Sequence, residues 1–117
     1  MKASVKREVE DIIQSEGLGC SVEEFQDKVA WGWISKYQTL SEDFIREFQY
    51  KVNWNWISEC QTLSEDFIRE FRNEVDWEYI HEYQTHLSKE ALERARNGIR
   101  KIKRKTPKTF KEKYGII

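Results

Sequence analysis

The chain repeats itself every 23 residues, and this periodicity constrains its fold more than any other feature of the sequence. Four kinds of residue recur at that spacing: Phe25, Phe48 and Phe71; Val29, Val52 and Val75; Trp31, Trp54 and Trp77; and Ile34, Ile57 and Ile80. A fixed period of roughly 20 to 50 residues is typical of repeat proteins, in which each copy forms one small structural unit.

Each copy is predicted to contain two short helices. In the second copy the first helix begins after Ser41, and its apolar residues share one narrow face at about 100° per residue: Phe44, Ile45, Phe48 and Val52. The second helix covers residues 54–61 and is amphipathic, because its remaining positions, including Ser58, carry no large apolar residue. A single continuous helix would shift its apolar face by more than about 100° after Val52. The sequence therefore predicts a break at Ala30, Asn53 and Asp76.

A pair of such short helices is marginally stable in water, so each pair needs a neighbour to cover its apolar face. We therefore predict one all-α domain over residues 1–117, with three two-helix repeats stacked as a short α-solenoid. An N-terminal helix would cap one end, and a longer basic helix would close the other. The predicted boundaries are 1–19 for the cap, 20–40, 41–63 and 64–87 for the repeats, 88–105 for the C-terminal helix and 106–117 for a basic tail.

The charges are divided unevenly along the chain. Residues 1–87 hold nine Lys and Arg against eighteen Asp and Glu, whereas residues 88–117 hold eleven against three. Such asymmetry is typical of an interaction tail or of self-association. Apolar residues at 3-4-3 spacing in the C-terminal helix form a candidate oligomerisation surface: Leu92, Ala95, Ile99 and Ile102. Basic residues of the same segment could neutralise nucleic-acid phosphates: Arg94, Arg96, Arg100, Lys101, Lys103, Arg104 and Lys105.

An aromatic ladder follows one edge of the second helices and consists of Trp33, Trp56 and Tyr79. One interpretation is a strip that binds a peptide or stacked bases. The other is packing between adjacent repeats, which is the commoner use of large aromatic residues. Nearby positions change from copy to copy and would tune a protein-binding surface: Lys36, Glu59 and Glu82.

Catalytic and metal-binding patterns are not found in the sequence. His81 and His86 lie five residues apart, whereas a zincin helix needs its two histidines four apart. Cys20 and Cys60 do not form a metal-ligand pattern. Cys60 is predicted to be a buried thiol because tyrosines occupy the equivalent position in the other copies. Paired carboxylates such as Glu42 and Asp43 sit at helix starts, where the dipole stabilises their charge. We expect neither an enzyme nor a cofactor or metal site.

The repeated motif W-x-x-I-S-x-x-Q-x-L-S-E-D-F-I-R-E resembles short tandem repeats in uncharacterised proteins of bacteriophages and large DNA viruses. The resemblance covers residues 25–71 well, and residues 18–24 and 72–92 loosely. It implies a viral or phage-associated helical-repeat protein, and it carries over no catalytic residue.

The predicted function is a non-enzymatic protein-interaction module, with self-association as one version of it. By analogy with viral repeat proteins, its partner would be a host or defence protein. The alternative is a nucleic-acid-binding protein that uses residues 94–113. No apolar run reaches about 18 residues, so no membrane contact is expected. The N-terminus lacks the apolar core of a signal peptide, which predicts a cytoplasmic protein, in the host cytoplasm if it is viral.

Overall fold

The structure is a computed structural model that describes residues 1–99, and over these residues the backbone forms eight α-helices and no strand. This confirms the all-α prediction for that part of the chain. The helices are α1 (Ala3–Ser15), α2 (Phe25–Lys28), α3 (Trp31–Tyr37), α4 (Glu42–Glu47), α5 (Trp54–Cys60), α6 (Glu65–Glu70), α7 (Trp77–Tyr83) and α8 (Lys89–Arg96).

Within each pair, the first and second helices are separated by the break that the sequence predicts. α4, α6 and α8 begin at serines, and the Oγ of Ser41 accepts a hydrogen bond of 3.0 Å from the Phe44 N–H. The second helices begin at the predicted caps. The Asn53 Oδ1 accepts from the Trp56 N–H at 3.1 Å, and the Asp76 carboxylate accepts from two N–H groups of α7. Ala30 has the same extended backbone but offers no side-chain acceptor.

The core runs through all of these helices as one apolar cluster. Its largest fully buried members are the first-helix phenylalanines, the isoleucines of both helices and one leucine: Phe25, Phe44, Phe67, Ile34, Ile45, Ile57, Ile68, Ile80 and Leu63. Trp31 and Trp54 reach across to the next pair, with ring centroids 5.2 Å from Phe48 and 5.1 Å from Phe71. Each pair therefore completes the core of the one before it.

α1 packs against α4 at the N-terminal end of the chain and buries Val5, Val9 and Ile12. The carboxylate of Glu8 accepts from both the N–H and the Oγ–H of Ser41, at 2.8 and 2.6 Å. Glu42 makes the same pair of bonds to Ser64, at 2.7 and 3.0 Å. α1 thus provides for α4 the contact that α4 provides for α6.

The C-terminal helix is shorter than predicted. α8 ends at Arg96, where Gly98 takes a positive φ of 73°, its N–H donates to the Ala95 carbonyl, and the Ile99 N–H donates to the Arg94 carbonyl. This is the Schellman end of a helix, so a continuous helix over 88–105 is wrong. The predicted tail 106–117, with residues 100–105, lies outside the described residues. Among residues 1–99, no helix is long and apolar enough to cross a membrane.

Candidate interaction surface

The second helices stack directly on one another, since α5 contacts both α3 and α7. Ser35 and Ser58 lie inside this stack with no exposed surface. The Ser35 Oγ–H donates to the Trp31 carbonyl at 2.6 Å, and its oxygen accepts from the Asn53 N–H at 3.1 Å. Ser58 repeats both bonds, to the Trp54 carbonyl and from the Asp76 N–H. The sequence pattern left these serines outside the apolar face of each second helix, but in the structure they join consecutive second helices.

A ladder of glutamine side chains adds a second link between the repeats. The Gln61 Oε1 accepts from the Leu40 N–H at 3.0 Å, while its Nε2–H donates to the carbonyls of Ser35 and Gln38, at 3.0 and 2.6 Å. Gln84 makes the equivalent three bonds to the preceding repeat, at 2.7 to 3.1 Å. Both glutamines are buried. The buried face of each second helix is therefore tied to its neighbour by hydrogen bonds as well as by packing.

The aromatic ladder lies on the opposite, outward face of the same helices. Trp33 is 54% exposed, whereas Trp56 and Tyr79 are half-buried. Tyr37 and Tyr83, one helical turn further on, are 58% and 44% exposed. The aromatic residues that fill the space between repeats are instead Trp31 and Trp54. We call the outward set the aromatic strip: Trp33, Tyr37, Trp56, Tyr79 and Tyr83, with Lys36, Glu59 and Glu82 beside it.

Side chains of the aromatic strip contact one another within and between helices. The rings of Trp33 and Tyr37 lie 4.4 Å apart between centroids, and those of Tyr79 and Tyr83 lie 6.0 Å apart. The Lys36 Nζ lies 4.3 Å from the centroid of the Trp56 ring on the next helix, within cation–π range. The Lys36–Trp56 contact therefore joins the α3 and α5 parts of the strip, and Glu59 of α5 interacts with Tyr83 of α7.

The α7 end of the strip is acidic. Glu82, and then Glu59, raise the pKa of the Tyr83 phenol because a phenolate beside two carboxylates is disfavoured. Cys60 occupies the position that Tyr37 and Tyr83 hold in their helices. Its side chain is exposed, so the prediction of a buried thiol was wrong. Partial desolvation, and then Glu59, raise the pKa of that thiol.

The candidate basic residues of α8 are engaged with the body of the protein. Arg94 forms an ion pair with Glu65, with its Nη2 2.8 Å from the Oε1, and this hydrogen bond raises the pKa of the guanidinium. Arg96 lies over the Trp77 ring at 5.3 Å. The other candidates fall outside the described residues: Arg100, Lys101, Lys103, Arg104 and Lys105.

The candidate oligomerisation surface is divided by the fold. Leu92 and Ala95 are buried in the core against α6, so they are not available to a second copy. Assigning them to a surface between copies was wrong. Ile99 is exposed beyond the end of α8, and Ile102 lies outside the described residues.

The histidines and the paired carboxylates have structural contacts. The His86 Nε2 lies 2.7 Å from the Leu63 carbonyl oxygen, and the His81 ring packs 6.0 Å from that of Trp77. A hydrogen bond from Lys2 lowers the pKa of Asp43, and one from Arg94 lowers the pKa of Glu65. In residues 1–99 no three His, Cys, Asp or Glu side chains are grouped so that they could hold a metal ion.

Sequence reasoning missed the roles of the repeated serine and glutamine. Both letters recur within W-x-x-I-S-x-x-Q, at positions that the apolar pattern does not require. For this serine and glutamine, recurrence in register with the core pattern is the signal that the sequence held for their buried roles. Comparison with known protein families, with curated proteins and with solved structures finds no match to this chain.

Proposed function

We propose that this chain is a non-enzymatic protein-interaction module whose binding surface is the aromatic strip. The observation that carries the proposal is the exposure of large aromatic side chains on stacked helices: Trp33 is 54% exposed, and Tyr37 and Tyr83, which hold the same position in α3 and α7, are 58% and 44% exposed. Isolated apolar side chains are common on protein surfaces, but a contiguous aromatic patch marks an interaction site. Trp and Tyr are also the residues that contribute most to binding energy at protein interfaces.

The scaffold beneath the strip is proposed to be a short α-solenoid of three two-helix repeats, with α1 as its N-terminal cap. Three sets of bonds recur with the sequence period and support this architecture. They are the glutamine ladder, the serine links between second helices, and the carboxylate of one first helix that holds the capping serine of the next. A stack tied together in this way holds the aromatic residues in fixed positions, which lowers the entropic cost of binding.

The class of partner that we propose is based on the variable positions and on the resemblance of the repeats. Lys36 of the first copy is replaced by glutamate at the same position of the next two, Glu59 and Glu82, and this reversal of charge is expected where binding specificity is tuned. The resemblance to phage and large DNA virus repeats leads us to propose a host or defence protein as the target, in the host cytoplasm. That step is analogy at the level of the family.

Affinity capture with three versions of the full chain tests the proposal. The chain is immobilised as wild type, as the Trp33→Ala, Tyr83→Ala double variant, and as Tyr50→Ala, which removes an aromatic residue that is 92% exposed but lies outside the strip. Each is incubated with an extract of the cells in which the protein occurs, and captured proteins are quantified by mass spectrometry. We expect a partner that wild type and Tyr50→Ala retain and the double variant loses. Equal capture by all three, with circular dichroism showing all three folded, would overturn the proposal.

A further inference from the structure

We infer that the aromatic strip binds an extended, proline-rich peptide that carries Lys or Arg, laid across α3, α5 and α7. This inference rests on the proposed function and names the class of partner that the same surface fits. It depends on three features: the spacing of the stacked helices, the chemistry of the exposed rings, and the acidic groups at the α7 end.

The spacing of the second helices selects the conformation of the ligand. Helices in direct contact stack with their axes about 8 to 10 Å apart, so equivalent ring positions recur at about that distance. A polyproline II helix has three residues per turn and rises about 3.1 Å per residue, so it presents one side chain every ~9 Å along each edge. An α-helix laid along the same line repeats every ~5.4 Å. The side chains on one face of a β-strand repeat about every 6.6 Å. Among these repeats, that of the polyproline II helix matches the spacing of the stacked helices most closely.

The exposed rings suit this ligand chemically. The Trp33–Tyr37 pair and the Tyr79–Tyr83 pair form aromatic platforms on α3 and α7, and Trp56 lies between them with Lys36 over its ring. Aromatic-lined surfaces are the recurring partners of proline-rich segments, whose rings pack flat against Trp and Tyr. A polyproline II segment is extended before it binds, so little conformational entropy is lost.

The charges around the strip define the second requirement of the ligand. Glu59 and Glu82 lie close enough to Tyr83 to raise the pKa of its phenol, and Glu78 is exposed on the same helix. Their field attracts a cationic side chain to the α7 end of the strip. The Lys36 ammonium, which lies over the Trp56 ring of α5, disfavours a second cation at the middle of the strip. A ligand with its basic residues at one end therefore matches the strip better than one with evenly spread charge.

A fluorescently labelled peptide of nine residues tests this inference against the full-length chain, because nine residues of polyproline II span about 28 Å, or three helices. The probe has proline at every third position and two arginines at one end. Two controls have equal length: one replaces the arginines with glutamates, and the other is an amphipathic helix former of the same charge. Binding is measured by fluorescence anisotropy, and the variants Trp33→Ala, Glu82→Lys and Tyr50→Ala are compared.

We expect saturable binding of the proline-rich probe, weakened about tenfold or more by Trp33→Ala, as is common for an interface hot spot, and unchanged by Tyr50→Ala. Glu82→Lys should weaken binding of the arginine probe and improve binding of the glutamate control. Absence of saturable binding, or equal binding of the helical control, would overturn the inference. In either case the affinity capture still decides the proposed function, because that experiment makes no assumption about the conformation of the partner.

Discussion

At the scale of single residues, buried amides hold the repeats in register. Gln61 satisfies one N–H and two carbonyls of the preceding repeat, and these groups are shielded from water. A buried backbone group that loses its partner costs about 1 to 3 kcal/mol, whereas a made hydrogen bond gains only about 1 kcal/mol. Replacing a glutamine of the ladder therefore costs more free energy than its hydrogen bonds contribute to the stability of the fold.

We predict that Gln61→Leu lowers the free energy of unfolding by about 2 to 4 kcal/mol, because the leucine leaves these backbone groups without partners. The matched control is Gln38→Leu. Gln38 is half-buried, and its amide donates to the side chains of Ser15 and Glu16 rather than to backbone carbonyls of a neighbouring repeat, so its loss should cost about 1 kcal/mol or less. Urea denaturation followed by tryptophan fluorescence measures both. Equal losses would show that the ladder does not join the repeats.

Ala30 offers a way to strengthen the fold by one residue. Its backbone angles, φ −82° and ψ 96°, match those of Asn53, φ −90° and ψ 105°, but it lacks a capping acceptor. We predict that Ala30→Asn raises the free energy of unfolding by about 0.5 to 1 kcal/mol, and that Asn53→Ala lowers it by a similar amount. Thermal denaturation of both variants checks this. A melting temperature lowered by Ala30→Asn would contradict the assignment of the cap.

At the scale of elements, the short helices within residues 1–99 are not stable by themselves. α4 and α6 have six residues each, well below the length at which isolated helices persist in water. Their ends are held by side chains from neighbouring helices, such as Glu8 at Ser41. α8 is held in the same way, because Arg94 reaches back to Glu65 at the start of α6. These short helices are therefore stabilised by contacts with neighbouring helices rather than by their intrinsic helix propensity.

The ion pair between Arg94 and Glu65 predicts a pH dependence. The pKa of Glu65 is lowered in the folded chain, first by its hydrogen bond from Arg94, below the ordinary value of 4.5. The pair therefore stabilises the fold above pH 4.5, and this contribution is lost as the pH falls through the folded pKa. We predict that Arg94→Gln is less stable than wild type at neutral pH and that the difference shrinks in acid.

Urea denaturation over a series of pH values measures this difference. Lys89→Gln, which removes a charge from an exposed position of the same helix, is the control and should track wild type. A difference between wild type and Arg94→Gln that stays constant through the acid range would contradict the ion pair.

At the scale of the whole molecule, the two ends of the chain differ in charge: residues 1–87 are acidic overall and residues 88–117 are basic. The acidic repeats would repel a polyanion, while residues 100–117 carry eight Lys and Arg against one Glu. We therefore predict no binding to labelled DNA or RNA at physiological salt. Weak binding at low salt should disappear when Lys101, Lys103, Arg104 and Lys105 are changed to Gln, and fluorescence anisotropy measures both. Tight binding that persists at physiological salt would favour the nucleic-acid alternative over the proposed function.

The features that the sequence predicted correctly are local ones. Ser41, Asn53 and Asp76 cap helices through bonds to residues two or three positions away, so their roles can be predicted from the neighbouring residues in the sequence. The bonds of Ser35 and Gln61 cross to residues 18 to 26 positions away, and no local pattern contains those partners. Cys60 was misjudged for a related reason, because the tyrosines at its position are themselves exposed.

α8 shows how a correct pattern led to an incorrect element. The apolar face with Leu92 and Ala95 is real, but α6 of the same chain covers it rather than a second copy. The 3-4-3 spacing continued through Ile99 and Ile102, which predicted a longer helix. Gly98 ends that helix because glycine adopts a positive φ without steric cost. Periodicity identifies an apolar face, and the capping residue decides where the helix stops.

The central claim is that the 23-residue unit is the building block of a stack, and duplication of one unit tests it most directly. A second copy of residues 41–63 is inserted before Ser64, and the maximum dimension in solution is measured by small-angle X-ray scattering. Because stacked helices lie about 8 to 10 Å apart, we predict that the folded particle lengthens by about that distance at an unchanged cross-section. A particle that grows equally in all directions, or loses its helical structure, would contradict the stacked architecture.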